Sequence, residues 1–216
     1  MIRTSETDLV IFDCDGVLVD SEPLANDVLA ACATRLGMPM DGAEAMATFK
    51  GMTMTQVHAR LEAELGRRFA PDWLEGYDED CHAVFREKLQ PVPGALHLVA
   101  RVEAAGLKSR VASQGKMEKM RITLGKVGLW EHFEGRIHSA TEVERPKPFP
   151  DLFIHAAREA RVEPGRSVVI EDSLSGVRAA RAAHMRVVCL ASPKDRMTAT
   201  ELGALTVETL QEIGIR

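Results

Sequence analysis

From Leu107 onward, short apolar runs alternate with longer stretches of helical periodicity, and that alternation restricts the fold more than anything else in the chain. Candidate strands are "SRVAS" (109–113), "GRIHS" (135–139), "SVVIE" (167–171) and "RVVCL" (186–190), with an earlier one, "LVIFD", at 9–13. Between them, "GKMEKMRITLGKVGL", "PDLFIHAAREARV" and "LSGVRAARAAHM" repeat apolar residues at three- and four-residue spacing, and Gly and Pro punctuate the joins. Such an order predicts βα units and a mostly parallel sheet covered by helices. The expected fold class is α/β, with a Rossmann-like parallel sheet as its core.

Residues 18–92 break the pattern. "PLANDVLAACATRLG" sets Leu24, Val28, Cys32 and Leu36 on one helical face, and "TMTQVHARLEAELG" does the same with Val57, Leu61 and Leu65. No β-branched, strand-like run occurs there. So long a helical insertion after the first strand needs a small core of its own. The expected division is a sheet domain at 1–18 and 92–216 and an α-helical cap domain at 19–91, joined by crossings near 19–21 and 90–94. The tail "LTVETLQEIGIR" reads as a last short strand or turn followed by a helix.

Twenty-seven basic against thirty-two acidic residues give a formal charge of −5, with no long run of Lys or Arg, so nucleic acid and anionic membrane are not expected partners. No stretch approaches the ~18 apolar residues of a membrane span, and "MIRTSETDL" has no long apolar region of the kind a secretory signal needs. Cys14, Cys32, Cys81 and Cys189 are scattered without a C-x-x-C pair and read as reduced core residues. The expectation is a cytoplasmic monomer.

Ligands of open parallel sheets bind beyond the carboxyl ends of the strands. Strand one delivers Asp13 and then Asp15 there; "SRVAS" delivers Ser113 with Gln114 and Gly115 behind it; "SVVIEDS" delivers Glu171 and Asp172. A Pro-locked turn, "ERPKPFP", holds Lys147. Singly, Asp172 and Ser113 read as helix N-caps and Lys147 as a solvated loop lysine. Asp13 resists that treatment, because an acid closing "LVIF" is costly to bury without a cation or several donors. Four carboxylates, one lysine and one hydroxyl on one rim call for a hard cation, and oxygen-only ligands suit Mg²⁺. Zinc is disfavoured, since none of the seven histidines pairs with another His or Cys at ligand spacing.

Four ordered stretches, "DCDGVLVDSE", "ASQGK", "PKP" and "IEDSLSGVRAARAA", resemble the four motifs of the haloacid dehalogenase superfamily. More closely they resemble its sugar-phosphate phosphatase and β-phosphoglucomutase branch. The resemblance implies that Asp13 attacks phosphorus to form an aspartyl-phosphate, and that Asp15 serves as acid for the leaving alcohol and then as base for water. It implies a phosphoryl contact from Ser113, charge neutralisation by Lys147, and Mg²⁺ between Asp13, the Asp15 carbonyl and the fourth-motif acids. Asp172 is expected to bind the metal directly, and Glu171 to bind through water or to support Lys147. Gly16 is expected to let the backbone approach the phosphoryl group, and Lys147-Pro148 is a candidate cis bond.

Substrate contacts are expected at Gln114, Gly115, Lys116 and Glu22, and in the cap at Lys50 and Gly51 of "TFKGMTMTQV". Met38, Met40, Met46, Met52 and Met54 cluster nearby and read as cap core, with an adaptable substrate wall as the alternative. The partner is expected to be a small phosphate ester. Mutases of this branch usually carry an Arg and then Ser-Leu shortly after the cap Lys-Gly, whereas this loop continues Met52, Thr53, Met54, Thr55, Gln56. Hydrolysis is therefore favoured, the 6-phosphogluconate phosphatase type being the nearest resemblance and a β-phosphoglucomutase-like mutase the alternative. A phospho-receiver switch, which also uses an Asp, neighbouring acids, Mg²⁺ and a Lys, would be about half this length, without an Asp two residues on.

Overall fold

The computed structural model describes residues 1–49 and 52–216. The chain divides into two compact units, Met1–Val19 with Gln90–Arg216, and Asp20–Leu89.

The first unit is built on six parallel strands, β1 (Leu9–Phe12), β2 (Lys108–Ser113), β3 (Ile137–Ser139), β4 (Ser167–Glu171), β5 (Arg186–Leu190) and β6 (Leu205–Val207), in the spatial order β3-β2-β1-β4-β5-β6. The central strands β1 and β4 are buried along their whole length, as expected where helices cover both faces. Alternate side chains go to opposite faces. Leu9 and Ile11 share one buried cluster with Leu152, Phe153, Ala156 and Val177. On β1's other face Phe12 meets Phe133 edge to ring, centroids 6.2 Å apart. From β1 the chain adds strands outward on one side, then returns to β4 on the other. The crevice at the carboxyl ends of β1 and β4 is thus the topological switch point.

The second unit contains α1 (Glu22–Leu36), α2 (Gly42–Phe49), α3 (Met54–Leu65) and α4 (Trp73–Lys88), and no strand among the described residues. Helix α1 stops at Gly37, whose φ of 106° is left-handed. Helix α3 starts at a reciprocal cap: Thr53 Oγ1 accepts from the Gln56 N–H, and Gln56 Oε1 accepts from the Thr53 N–H. Leu29, Ala33, Ala45, Phe49, Val57 and Leu61 form its core, and Met38, Met40, Met52 and Met54 pack against them half-buried, in line with the core reading for these four; Met46 is half-buried outside that cluster.

The remaining helices, α5 (Ala95–Ala104), α6 (Met117–Lys126), α7 (Trp130–Phe133), α8 (Asp151–Ala160), α9 (Leu174–Ala182) and α10 (Arg196–Glu201), belong to the sheet unit. All four cysteines are buried and unbridged. No helix among the described residues is long and apolar enough to cross a membrane.

Candidate active site

Asp13 follows β1 without a break, its N–H still donating to the Ile170 carbonyl of β4 at 2.9 Å. The chain then turns back sharply. Leu18 and Val19 N–H groups both reach the Cys14 carbonyl, at 2.9 and 3.0 Å, and the Gly16 N–H reaches the Val19 carbonyl at 2.9 Å. Gly16 makes the turn possible at φ +76°, and a Cβ there would land on the Asp172 carboxylate. The same glycine therefore sets the hand of the loop and lets Asp172 lie against it.

Lys147 reaches this strand end from the turn before α8, and its bond to Pro148 is cis. Its ammonium spends its three donors on Asp13 Oδ1 (2.7 Å), Glu171 Oε1 (2.6 Å) and the Ala112 carbonyl of β2 (3.1 Å), and it stands 4.8 Å from the centre of the Phe153 ring. Far from being a solvated loop residue, Lys147 is buried. Among the described residues it is the only donor to the Asp13 carboxylate, on Oδ1.

Glu171 is wholly buried, and its second oxygen is filled as well: Oε2 accepts from Asp172 N (3.0 Å), Ser173 N (3.0 Å) and Ser173 Oγ (2.9 Å). Ser173 Oγ in turn accepts from the Gly176 N–H at 3.1 Å and caps α9. Gly176 has no room for a Cβ, because the Glu171 carboxylate lies there.

The electrostatics follow from this packing. Burial pushes Asp13 up to about 7; the Lys147 charge opposes the shift and the Glu171 charge adds to it. Burial would lower Lys147, but Asp13 and Glu171 outweigh it and hold the ammonium above the ordinary lysine range.

At the end of β2, Ser113 is buried and its Oγ accepts from the Gly115 N–H at 3.2 Å. The Gly115 carbonyl accepts from Ser139 Oγ at 2.7 Å. The N-cap readings fall one or more residues off: α9 is capped by Ser173 rather than Asp172, and α6 starts after Lys116 rather than Ser113. Asp15 Oδ1 accepts from Lys119 Nζ at 2.8 Å, both side chains being 30% exposed. Lys119 is held above its ordinary value: burial opposes the charge and the Asp15 carboxylate overrides it.

Asp13, Glu171 and Asp172 bring oxygens within 4.8 Å of one another. With Asp15 two residues from Asp13, they make an all-oxygen donor set of the kind that suits a hard divalent cation. A second cluster, His138, Glu142 and His155, joins histidines that no sequence spacing links, their rings 4.9 Å apart. Arg110 Nη1 lies 3.0 Å from His138 Nε2. A guanidinium only donates, so Nε2 accepts and Nδ1 carries the proton, leaving no lone pair aimed at Glu142. Burial and then the Arg110 charge lower His138 from its ordinary value.

Of the other sequence candidates, Gln114 and Lys116 are exposed beside Gly115, and Glu22 is the exposed first residue of α1 in the helical unit. Lys50 and Gly51 lie outside the described residues. Two residues escaped the sequence reading. Ser173, next to the fourth-motif acids, carries a cap signal just before "LSGVRAA". Lys119 sits in the first turn of α6, where the helix dipole disfavours a cation; a lysine there is a hint that a carboxylate is near.

The family model described as haloacid dehalogenase-like hydrolase matches residues 10–190. Among curated proteins, 6-phosphogluconate phosphatase of Escherichia coli is 29% identical over 85% of this chain and 82% of its own length. Hexitol phosphatase A of the same organism is 27% identical over 95% and 92%. Among solved structures, a conserved haloacid dehalogenase-like protein from Agrobacterium tumefaciens superposes with a TM-score of 0.82 at 33% identity, covering 95% of each chain. With a family match that runs from the strand bearing Asp13 to the end of β5, the chain belongs to the haloacid dehalogenase-like hydrolases.

Proposed function

We infer that this phosphoric monoester hydrolase acts on a small sugar or sugar-acid phosphate, 6-phosphogluconate being the first candidate, by way of an aspartyl-phosphate on Asp13 and with Mg²⁺ bound. The observation that carries the reading is Asp13 itself: buried at the switch point, with Lys147 on Oδ1 and no second donor among the described residues, it keeps Oδ2 for attack. The sugar-phosphate class rests on the two E. coli relatives, whose names are those of sugar-acid and sugar-alcohol phosphatases.

In the first step Asp13 Oδ2 bonds to phosphorus and the ester P–O bond breaks, while Asp15 gives its proton to the departing alcohol oxygen. Water then attacks the same phosphorus, Asp15 takes its proton, and the bond to Asp13 breaks to release phosphate. Lys147 keeps the Asp13 carboxylate aimed and offsets its charge, and Ser113 is suited to hydrogen-bond a phosphoryl oxygen. Asp13 and Asp172 would hold the metal, whose contribution is to offset charge on the phosphoryl oxygens. Glu171, with both oxygens already hydrogen-bonded, serves as the anchor of Lys147.

The test is a phosphate-release screen over sugar, sugar-acid and nucleotide monophosphates with and without Mg²⁺, run beside Asp13→Asn. Turnover confined to the wild type with Mg²⁺, and highest on sugar-acid or sugar phosphates, is the expected outcome. Undiminished release by Asp13→Asn overturns the mechanism, and efficient isomerisation of β-glucose 1-phosphate with little free phosphate would make the protein a mutase.

A further inference from the structure

Asp15 has two opposite tasks in the reaction inferred above, and both demand that its carboxylate point at the entering or leaving oxygen. Its backbone is set by the turn through Gly16 and by the bridge between Asp15 and Val19. The carboxyl torsion of an aspartate is broad, so a fixed backbone does not by itself fix the oxygens. Lys119 supplies a constraint on them. It comes from 104 residues away in sequence, off the first turn of α6, and donates to Asp15 Oδ1 at 2.8 Å. An ammonium on that turn opposes the helix dipole, so its position is not explained by the needs of α6. Nor is Lys119 one of the groups on Asp13, whose ammonium partner is Lys147.

We propose that Lys119 is the positioning residue for Asp15, holding the acid–base carboxylate through Oδ1 in the orientation that proton transfer requires. The proposal rests on the roles inferred for Asp13 and Asp15. It assigns Lys119 to one carboxylate and Lys147 to the other, so that each oxygen acid of the "DCD" stretch has its own ammonium partner.

The experiment separates this role from phosphate binding and from simple tethering of α6. Lys119→Met and Lys119→Arg are compared on a sugar phosphate, whose alkoxide needs a proton to leave, and on p-nitrophenyl phosphate, whose phenolate does not. The quantity read is kcat/KM, which reports events up to formation of the phospho-enzyme. For Lys119→Met the sugar-phosphate value is expected to fall about 10- to 100-fold, and at least ten times further than the p-nitrophenyl value; Lys119→Arg should recover most of the loss. In an Asp15→Asn background, Lys119→Met should add little. Equal loss on both substrates at an unchanged thermal midpoint, no loss on either, or full additivity with Asp15→Asn overturns the assignment. Failure of the underlying mechanism looks different: there Asp15→Asn itself leaves sugar-phosphate kcat/KM unchanged, or Asp13→Asn retains turnover.

Discussion

Replacing Lys147 by methionine keeps an unbranched side chain, one heavy atom shorter, and removes its charge, and the contacts of Lys147 state what is left behind. Asp13 and Glu171 lose donors at 2.7 and 2.6 Å, the Ala112 carbonyl loses one at 3.1 Å, and all of these lie in the buried switch-point crevice. Removing one partner of a buried pair costs about 3–5 kcal/mol, because the other charge stays buried without compensation. That is a large share of the ~5–15 kcal/mol that holds an ordinary domain together. The loss should also depend on pH. Burial already sets Asp13 above its unfolded value, and without the opposing ammonium it moves further up. An acid whose folded pKa exceeds its unfolded one leaves the native state most stable below the unfolded value, and stability is lost as pH rises through the folded value. Lys147→Met is therefore expected to be impaired less at about pH 5 than at about pH 8. Urea unfolding followed by circular dichroism, in chelator at both pH values, reads this directly. Adding Glu171→Gln should recover part of the loss, since the amide N–H can then face Asp13, giving a coupling of about 1 kcal/mol or more. A penalty below about 1 kcal/mol, or one equal at both pH values, refutes the argument that an uncompensated carboxylate is its source.

Gly176→Ala forces a Cβ onto the Glu171 carboxylate and should destabilise by about 1–3 kcal/mol while lowering phosphate release; undiminished release and stability would show that Glu171 has room to move. In metal-free protein the raised Asp13 makes stability fall as pH rises from its unfolded value toward about 7, so the thermal shift produced by Mg²⁺ should be larger at about pH 8 than at about pH 5. Equal shifts in differential scanning fluorimetry would show that the metal does not meet an ionised Asp13. In the helical unit, Thr53→Ala removes the side-chain half of the α3 cap and should cost about 1 kcal/mol in urea unfolding. A cost near zero would mean that the Gln56 bond alone holds the helix start.

Strands whose residues are apolar on both faces were easiest to read in advance: "SVVIE" and "RVVCL" coincide with β4 and β5, and "LVIFD" overruns β1 only by Asp13. Misplaced boundaries have local causes. "GRIHS" starts two residues before β3, because Gly135 is left-handed at φ +70° and the Arg136 N–H still closes the α7 end on the Phe133 carbonyl. After β6 the tail makes only a short 3₁₀ turn, Leu210–Glu212, rather than a helix; Thr209 and Glu212 close a capping box at its start, and three residues later the chain is back in a bridge at Ile215.

The site divides along the same line. Asp13 and Glu171 stand out in the sequence at strand ends, Asp15 and Asp172 just beyond them, and Lys147 in a Pro-locked turn, which are local signals. What joins them is not local. Lys147 meets Asp13 across 134 residues and Glu171 across 24, while Lys119 meets Asp15 across 104. Those meetings depend on register. Phe12 of β1 stands opposite Ile170 of β4, and the pairing carries on to set Asp13 beside Glu171, two acids that one ammonium then bridges. A slip of one residue between these strands would send Glu171 to the opposite face of the sheet and leave Lys147 with a single partner. Order along the chain cannot express such a parity; the packing of Leu9 and Ile11 on one face and Phe12 on the other does, so the apolar residues of β1 are what place Asp13 beside Glu171.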